Sequence, residues 1–330
     1  MKYNGPTVFE LGEITALASA TKHFKSVPTT LVGSGDDAAV IALKDPRFVV
    51  TTDTLVENHD FKTEFSSGFD LGYKAVASNI ADVVAMGATP IALTVAMVIT
   101  KETKQSWLED FSAGLQSAID ELCPTAQIVG GDLASGSEIV IAVAAHGELI
   151  GEPLLRSGAR PGDQLAVCGT LGKAAAGLAL LQHPDQTLAA SYPELVSIQL
   201  RPQPPVGLAL EVAEAATAMM DISDSLAMDA SRLAKASGVS LEIQSSALFG
   251  FQAVLEQAAQ SINARDGGLV NEFDWVLFGG EDHSFLVTFP AEFTVPKGFK
   301  VIGKVTAAQN DPVVLDGVRL EAKGWDSVSS

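Results

Sequence analysis

Cysteine is nearly absent from this 330-residue chain, which has only Cys123 and Cys168 and no C-x-x-C spacing. That excludes a disulfide framework and a cysteine zinc site, and both thiols are expected as small buried residues. Basic residues are also scarce: 21 Lys and Arg stand against 40 Asp and Glu, a formal net charge of -19. Nucleic acid and anionic membrane both need basic patches, so neither is expected as a partner. The most apolar run, Gly87 to Thr100, is too short to span a bilayer and contains Pro90. The opening MKYNGPTVFELGE lacks the apolar core of a secretory signal, so a cytoplasmic location is expected. H-E-x-x-H, EF-hand and G-x-S-x-G patterns are missing. Gly169 to Lys173, GTLGK, lacks the phosphate-loop spacing and is followed by Ala174 instead of Ser or Thr.

What the chain does have is 47% hydrophobic and 18% charged residues, a globular balance, and enough length for two domains. Apolar spacing predicts a helix over Phe9–Ala20, with Leu11, Ile14, Leu17 and Ala18 on one face. A glycine-rich loop follows at Leu31–Asp37, then strands over 38–43 and 48–52. A helix is expected over Asp70–Ala85 with Asp70 as N-cap, then a strand over 91–99 and a helix over 107–122. A strand over 127–129 should run into Gly130-Gly131-Asp132, and another should cover 138–148. This alternation gives an α/β or α+β domain over 1–151. A second α/β domain, 152–330, opens with the turn-rich RSGARPGD (Arg156–Asp163). Its expected elements include strands at 164–168, 219–222 and 285–289, helices at 172–181 and 207–218, and a helix after Asp224 stopped by Gly238.

The stretch VVTTDTLVENHD, Val49 to Asp60, organises the chemistry. Val49 and Val50 read as the end of a buried strand. Asp53 beside Thr51 and Thr52 is an oxygen-rich setting for a hard cation such as Mg²⁺; threonines that merely favour β structure are the competing account. Asp82 falls in the last turn of its helix, where the macrodipole disfavours an anion, and shares a face with Asn79. A bound cation or a buried partner would explain it. Asp36-Asp37, Asp53, Asp82, Asp132 and the pair Asp221 and Asp224 are expected to converge. Crowded carboxylates raise one another's pKa, and divalent metal relieves that; scattered caps and turns are the alternative. Gly130-Gly131-Asp132 offers bare backbone to a phosphate or is simply a turn. Asp221-Ile-Ser-Asp224 sits at a strand-to-helix junction, where Ser223 or Asp224 is either a ligand residue or an N-cap. Arg156 could grip a phosphate or form a surface ion pair. His59 is the one histidine inside a candidate site.

In order and spacing, GDDAAV (Gly35–Val40), TTDTLVENH (Thr51–His59), YKAVASNIADVVAMGA (Tyr73–Ala88), GGD (Gly130–Asp132), RSGARPGD, DISDS (Asp221–Ser225), GGED (Gly279–Asp282) and KGW (Lys323–Trp325) resemble the thiamine-monophosphate kinase family. That family lies within the aminoimidazole ribonucleotide synthetase-like superfamily. The resemblance implies a two-domain fold whose N-terminal domains pair in a homodimer, with the nucleotide near that interface. It implies ATP-dependent phosphorylation of thiamine monophosphate to thiamine diphosphate. Asp37, Thr51, Thr52, Asp53, Asp82, Asp132, Asp221 and Asp224 would hold several Mg²⁺ ions. Gly131, Asp132, Arg156 and Ser223 would serve ATP, and His59, Glu281 and Trp325 would face thiamine monophosphate. Phe111 is a candidate for the adenine. Two departures stand out: Ser225 replaces the usual glycine after Ser-Asp, and Glu57-Asn58-His59-Asp60 replaces a glycine-containing run before His-Phe. Aminoimidazole ribonucleotide synthetase and a non-catalytic nucleotide or thiamine-phosphate binder are the alternatives.

Overall fold

The structure is a computed structural model that describes residues 3–33, 38–149 and 151–325. It divides into two units, Met1–Val84 with Ala88–Ile150, and Ala85–Gly87 with Gly151–Ser330. The first unit runs α1 (Val8–Leu11), α2 (Glu13–Ala20), β1 (Thr30–Val32), β2 (Val40–Ile41), β3 (Phe48–Val56), α3 (Gly68–Ala85), β4 (Ala88–Ile99), α4 (Gln105–Leu122), β5 (Ile128–Ser135) and β6 (Val140–Leu149). Its main sheet has the order β3-β6-β4-β5; only the β4–β5 pairing is parallel.

Glycines set the distance between the two long helices of this unit. A Cβ at Gly72 of α3 would run into the Phe111 carbonyl of α4, and one at Gly114 of α4 would run into the Phe69 carbonyl. The backbones therefore touch where side chains would hold them apart. Leu71, Val76, Ile80, Val83 and Val84 of α3 are all fully buried, and with Lys74, Ser78 and Asn79 also covered the helix is buried nearly all round. Ser67, not Asp70, precedes its first turn as the cap. The Asp70 N–H donates to Ser67 Oγ (3.2 Å) and the Ser67 N–H donates to the Asp70 carboxylate (2.9 Å).

Three other expectations for this unit need correction. The helix over 9–20 is broken at Gly12, whose φ of 78° is open to glycine. Ala16 and Ala20 face inward there, while Ile14 is 87% exposed. The strand containing Val49 and Val50 is not buried and does not end there: it continues to Val56 with Phe48 and Val50 exposed. Gly130-Gly131-Asp132 is not a turn but the middle of β5, where a Cβ on Gly131 would strike the Val95 carbonyl.

The second unit runs β7 (Gln164–Cys168), α5 (Lys173–Gln182), α6 (Thr187–Ser191), α7 (Pro193–Leu200), α8 (Val206–Glu211), β8 (Ala218–Ile222), α9 (Leu226–Ser237), β9 (Val239–Ile243), α10 (Ser245–Gln252), α11 (Glu256–Asp266), α12 (Glu272–Phe278), β10 (Ser284–Phe289), β11 (Phe299–Ala307), β12 (Val313–Leu315) and β13 (Val318–Arg319). The seven-stranded sheet has the order β13-β12-β9-β11-β7-β10-β8 and is antiparallel except between β9 and β12. β8 and β10 are buried along their whole length, so they show no alternation of exposure; Asp221, Ser284 and Thr288 are the buried polar residues within them. Leu180, Leu195, Leu226, Leu233 and Val276 from the helices, and Leu255 just before α11, pack with Val167, Met220 and Leu286 from the sheet. The helix expected over 207–218 stops at Glu211, because Ala218 already belongs to β8. Among the described residues no helix is long and apolar enough to cross a membrane.

Candidate active site

In the first unit, strand alternation places Thr51 and Asp53 on one face of β3 and Thr52 on the other. Thr51 Oγ1 donates to Asp82 Oδ2 at 3.0 Å, so the carboxylate near the end of α3 reaches the strand. Thr52 instead donates to the Val143 carbonyl at 2.9 Å. Asn79, one turn before Asp82, is buried; its amide nitrogen donates to the Ala75 carbonyl (2.8 Å), while Oδ1 meets no partner among the described residues. A buried acceptor left without a donor, on the helix face that also carries Asp82, suits the water shell of a hydrated Mg²⁺. Beyond β3 the chain turns at Asn58, with φ of 65°. His59 Nδ1 lies 3.0 Å from Asp60 Oδ1, and Asp60 Oδ2 accepts the Val56 N–H at 2.8 Å.

Asp132 stands apart from this group. The register Asp53–Val143–Val95–Gly131 crosses the whole sheet, so β3 and β5 are its two edges. Three interstrand steps separate them by about 14 Å. Asp132 pairs one position later, with Ala96, and therefore points to the face opposite Asp53. A single ion with ligands near 2 Å cannot take both carboxylates of one chain. Beside Gly130, Gly131 and Asp132 lies a cavity of about 900 Å³, walled by α2, α4, β4 and β5. Phe111 lines it, buried and stacked on Trp107 with ring centroids 5.6 Å apart. Asp37 lies outside the described residues.

The second unit gathers its site residues at the β8–α9 junction. Asp221 is buried at the end of β8, with His283 Nδ1 3.6 Å from its Oδ2. The Ser223 carbonyl accepts the Glu281 N–H (2.8 Å), and the Asp224 carbonyl accepts the Trp325 N–H (3.2 Å). DISDS, GGED and KGW therefore form one cluster. Glycines permit the approach: a Cβ on Gly280 would collide with the Ser223 carbonyl, and one on Gly324 with the Asp224 carbonyl and Ser225 Oγ. Ser225 does not obstruct it. Its φ of 172° is ordinary extended backbone; its hydroxyl accepts the Met228 N–H as cap of α9 and donates to the Lys323 carbonyl at 2.6 Å.

Four further residues hold this cluster in shape. Gln199 of α7 donates to Glu281 at 2.7 Å. Glu281 and His283 both have positive φ, 65° and 48°, a strained pair around Asp282. Asp282 is buried against the start of α5, accepting the Thr170 hydroxyl (2.5 Å) and the Gly172 N–H (2.8 Å). Burial pushes its carboxyl up against the pull of those bonds. Asp229 accepts the N–H groups of Asp224 and Ser225 at 3.1 Å each. Burial chiefly, with the charges of Asp221 and Asp224 adding to it, raises the Asp229 carboxyl to about 6. Arg232 bridges Asp224 (2.5 Å) and Asp229 (2.6 Å).

Arg156 is not brought to this junction. Its carbonyl accepts the Ser237 hydroxyl at 2.7 Å, at the far end of α9, whose 12 residues span about 18 Å. Among the described residues no three His, Cys, Asp or Glu side chains could by themselves hold a metal. A Mg²⁺ here would complete its shell with hydroxyl, water or phosphate oxygens, as this ion commonly does.

Residues 35–149 match the family model for the AIR synthase related protein, N-terminal domain. Thiamine-monophosphate kinase of Mycobacterium tuberculosis (strain CDC 1551 / Oshkosh) is 38% identical over 325 residues, covering 98% of this chain and 93% of the relative. The chain belongs to the thiamine-monophosphate kinase family. The family member of Escherichia coli (strain K12) is 33% identical, with 89% of this chain and 91% of the relative covered. Among solved structures, AaThiL complexed with AMPPCP and TMP superposes with a TM-score of 0.72 at 28% identity, covering 98% of this chain and 99% of that one. Family motifs mark the acids and glycines of the junction. They do not mark Gln199, Asp229 or Arg232; the local signal for the last two is the i, i+3 spacing that sets Asp229 and Arg232 on one face of α9.

Proposed function

We propose that the chain transfers the γ-phosphoryl group of ATP to the phosphate of thiamine monophosphate, giving thiamine diphosphate and ADP. The observation that carries this reading is near full-length likeness to a kinase structure holding AMPPCP and TMP together. A terminal phosphate oxygen of thiamine monophosphate attacks the γ-phosphorus, and the bond to the β–γ bridging oxygen breaks, its electron pair leaving with ADP. The attacking phosphate is already largely ionised at neutral pH, so no protein base is required. Alignment and charge neutralisation are the main demands.

We assign Mg²⁺ to Asp37, Thr51, Thr52, Asp53, Asp82, Asp132, Asp221 and Asp224. Bound there, Mg²⁺ would neutralise charge on the phosphoryl oxygens. Thr51 fixes the Asp82 carboxylate, and Asp229 fixes the backbone of Asp224. Gly131, Asp132, Arg156 and Ser223 serve ATP, and the cavity beside Gly131 suits its base, with Phe111 in the wall. His59, Glu281 and Trp325 serve thiamine monophosphate; Glu281 is held by Gln199, and Trp325 offers an aromatic face to a ring. The working form is a homodimer. Among the described residues both edges of the first sheet lack a neighbouring strand, Phe48 and Val50 are exposed on one, and Asp53 and Asp132 can share an ion only if β3 of one copy meets β5 of another. The reaction belongs in the cytoplasm, where ATP is supplied.

The test is incubation of purified protein with thiamine monophosphate, ATP and Mg²⁺. Thiamine diphosphate is expected. Thermal stabilisation by ATP and Mg²⁺ without release of ADP would instead identify a binder.

A further inference from the structure

We propose that Arg232 is an exchangeable counter-cation for Asp224: it occupies that carboxylate while no divalent ion is bound, and must let it go for a metal to enter. The proposal rests on the assignment of Mg²⁺ to Asp224 above. One guanidinium nitrogen, Nη1, reaches both Asp224 Oδ2 at 2.5 Å and Asp229 Oδ1 at 2.6 Å. The two carboxylates are not equally free to move. Asp229 is wholly buried and also accepts two backbone N–H groups, so it is fixed. The Asp224 side chain is partly exposed, as is that of Arg232, so their contact can open into solvent.

The charges explain why the exchange is favourable. Asp221 and Asp224 both act on Asp229, and Arg232 bridges Asp224 and Asp229. Three carboxylates and one guanidinium leave two negative charges, which one divalent ion balances. Arg232 therefore need not leave the cluster; it keeps Asp229 and releases Asp224. A guanidinium is charged at any working pH, so Arg232 competes with metal throughout that range. Arg232 is a positioning residue: it holds the empty carboxylate in place and sets the free-energy threshold for loading.

The experiment counts Mn²⁺ bound to the full chain, without nucleotide, by the loss of the free-ion electron paramagnetic resonance signal. Wild type, Asp224→Asn, Arg232→Gln and Arg232→Lys are compared, with thermal melts to confirm folding. Asp224→Asn should lose one site. Arg232→Gln should bind that site about fivefold more tightly, as expected for removal of one partly exposed ion pair. Arg232→Lys, which keeps a charge but on a shorter-reaching, more strongly hydrated head, should fall between and serves alone if Arg232→Gln does not fold. Folded Arg232 variants with unchanged or weaker Mn²⁺ binding would overturn the exchange. Retention of every site by Asp224→Asn would overturn the metal assignment beneath it.

Discussion

Asp82 shows how much a single residue can disclose. An acid in the last turn of an apolar helix is electrostatically misplaced, and the structure supplies the Thr51 hydroxyl at 3.0 Å as part of the reason. Asp53 and Asp132 are singled out in the sequence differently, as acids beside small residues. Replacing either with Asn keeps the shape and removes the charge. Turnover should fall by about a hundredfold or more while the melting temperature holds; unchanged turnover in both variants would remove them from the site. Gln199 was not legible, because it lies 82 residues from the Glu281 it holds and no spacing announces such a pair. Gln199→Ala should raise KM for thiamine monophosphate about fivefold, the worth of one hydrogen bond near 1 kcal/mol, and leave KM for ATP in place. Steady-state kinetics with each substrate varied would show it.

At the scale of elements, strands and helices with strong apolar patterns were readable, and their surroundings were not. The core of α3 followed from its residues, but its cap did not, since Ser67 and Asp70 are both capable and only geometry chooses. Gly130-Gly131-Asp132 looked like a turn because glycine usually punctuates, yet Gly131 instead lets two strand backbones pass closely. The facing glycines of α3 and α4 were silent for the same reason: a glycine in a helix interior signals cost until its neighbour is known. Gly72→Ala should destabilise the protein by about 3 kcal/mol, because the new methyl meets backbone that cannot turn aside. A urea midpoint within error of wild type would contradict the packing described.

For the whole molecule, scarcity of cysteine carries a prediction. Cys123 and Cys168 are buried, and burial pushes each thiol up to about 12. At pH 8 the thiolate is therefore rare as well as shielded, and Ellman's reagent should find no reactive thiol in native protein and two in denaturant. The sequence suggests one boundary near Gly151, whereas the two compact units also exchange Ala85–Gly87, a detail no local pattern announces. The placement of Asp53 and Asp132 on opposite edges of one sheet was not legible either, because strand order is a tertiary fact. If a pair of copies completes the site, mixing inactive Asp53→Asn with inactive Asp132→Asn protein under subunit exchange should restore activity. The mixed dimer would contain one site with both acids, whereas a site confined to one chain would stay dead.

Direct passage of the phosphoryl group between two phosphates leaves a signature at phosphorus. ATP made chiral at the γ-phosphorus with oxygen isotopes, turned over with thiamine monophosphate and Mg²⁺, should give thiamine diphosphate of inverted configuration at the transferred phosphorus. Retention would mean two successive displacements through a phosphorylated side chain, and would contradict the one-step transfer to which these aspartates are assigned.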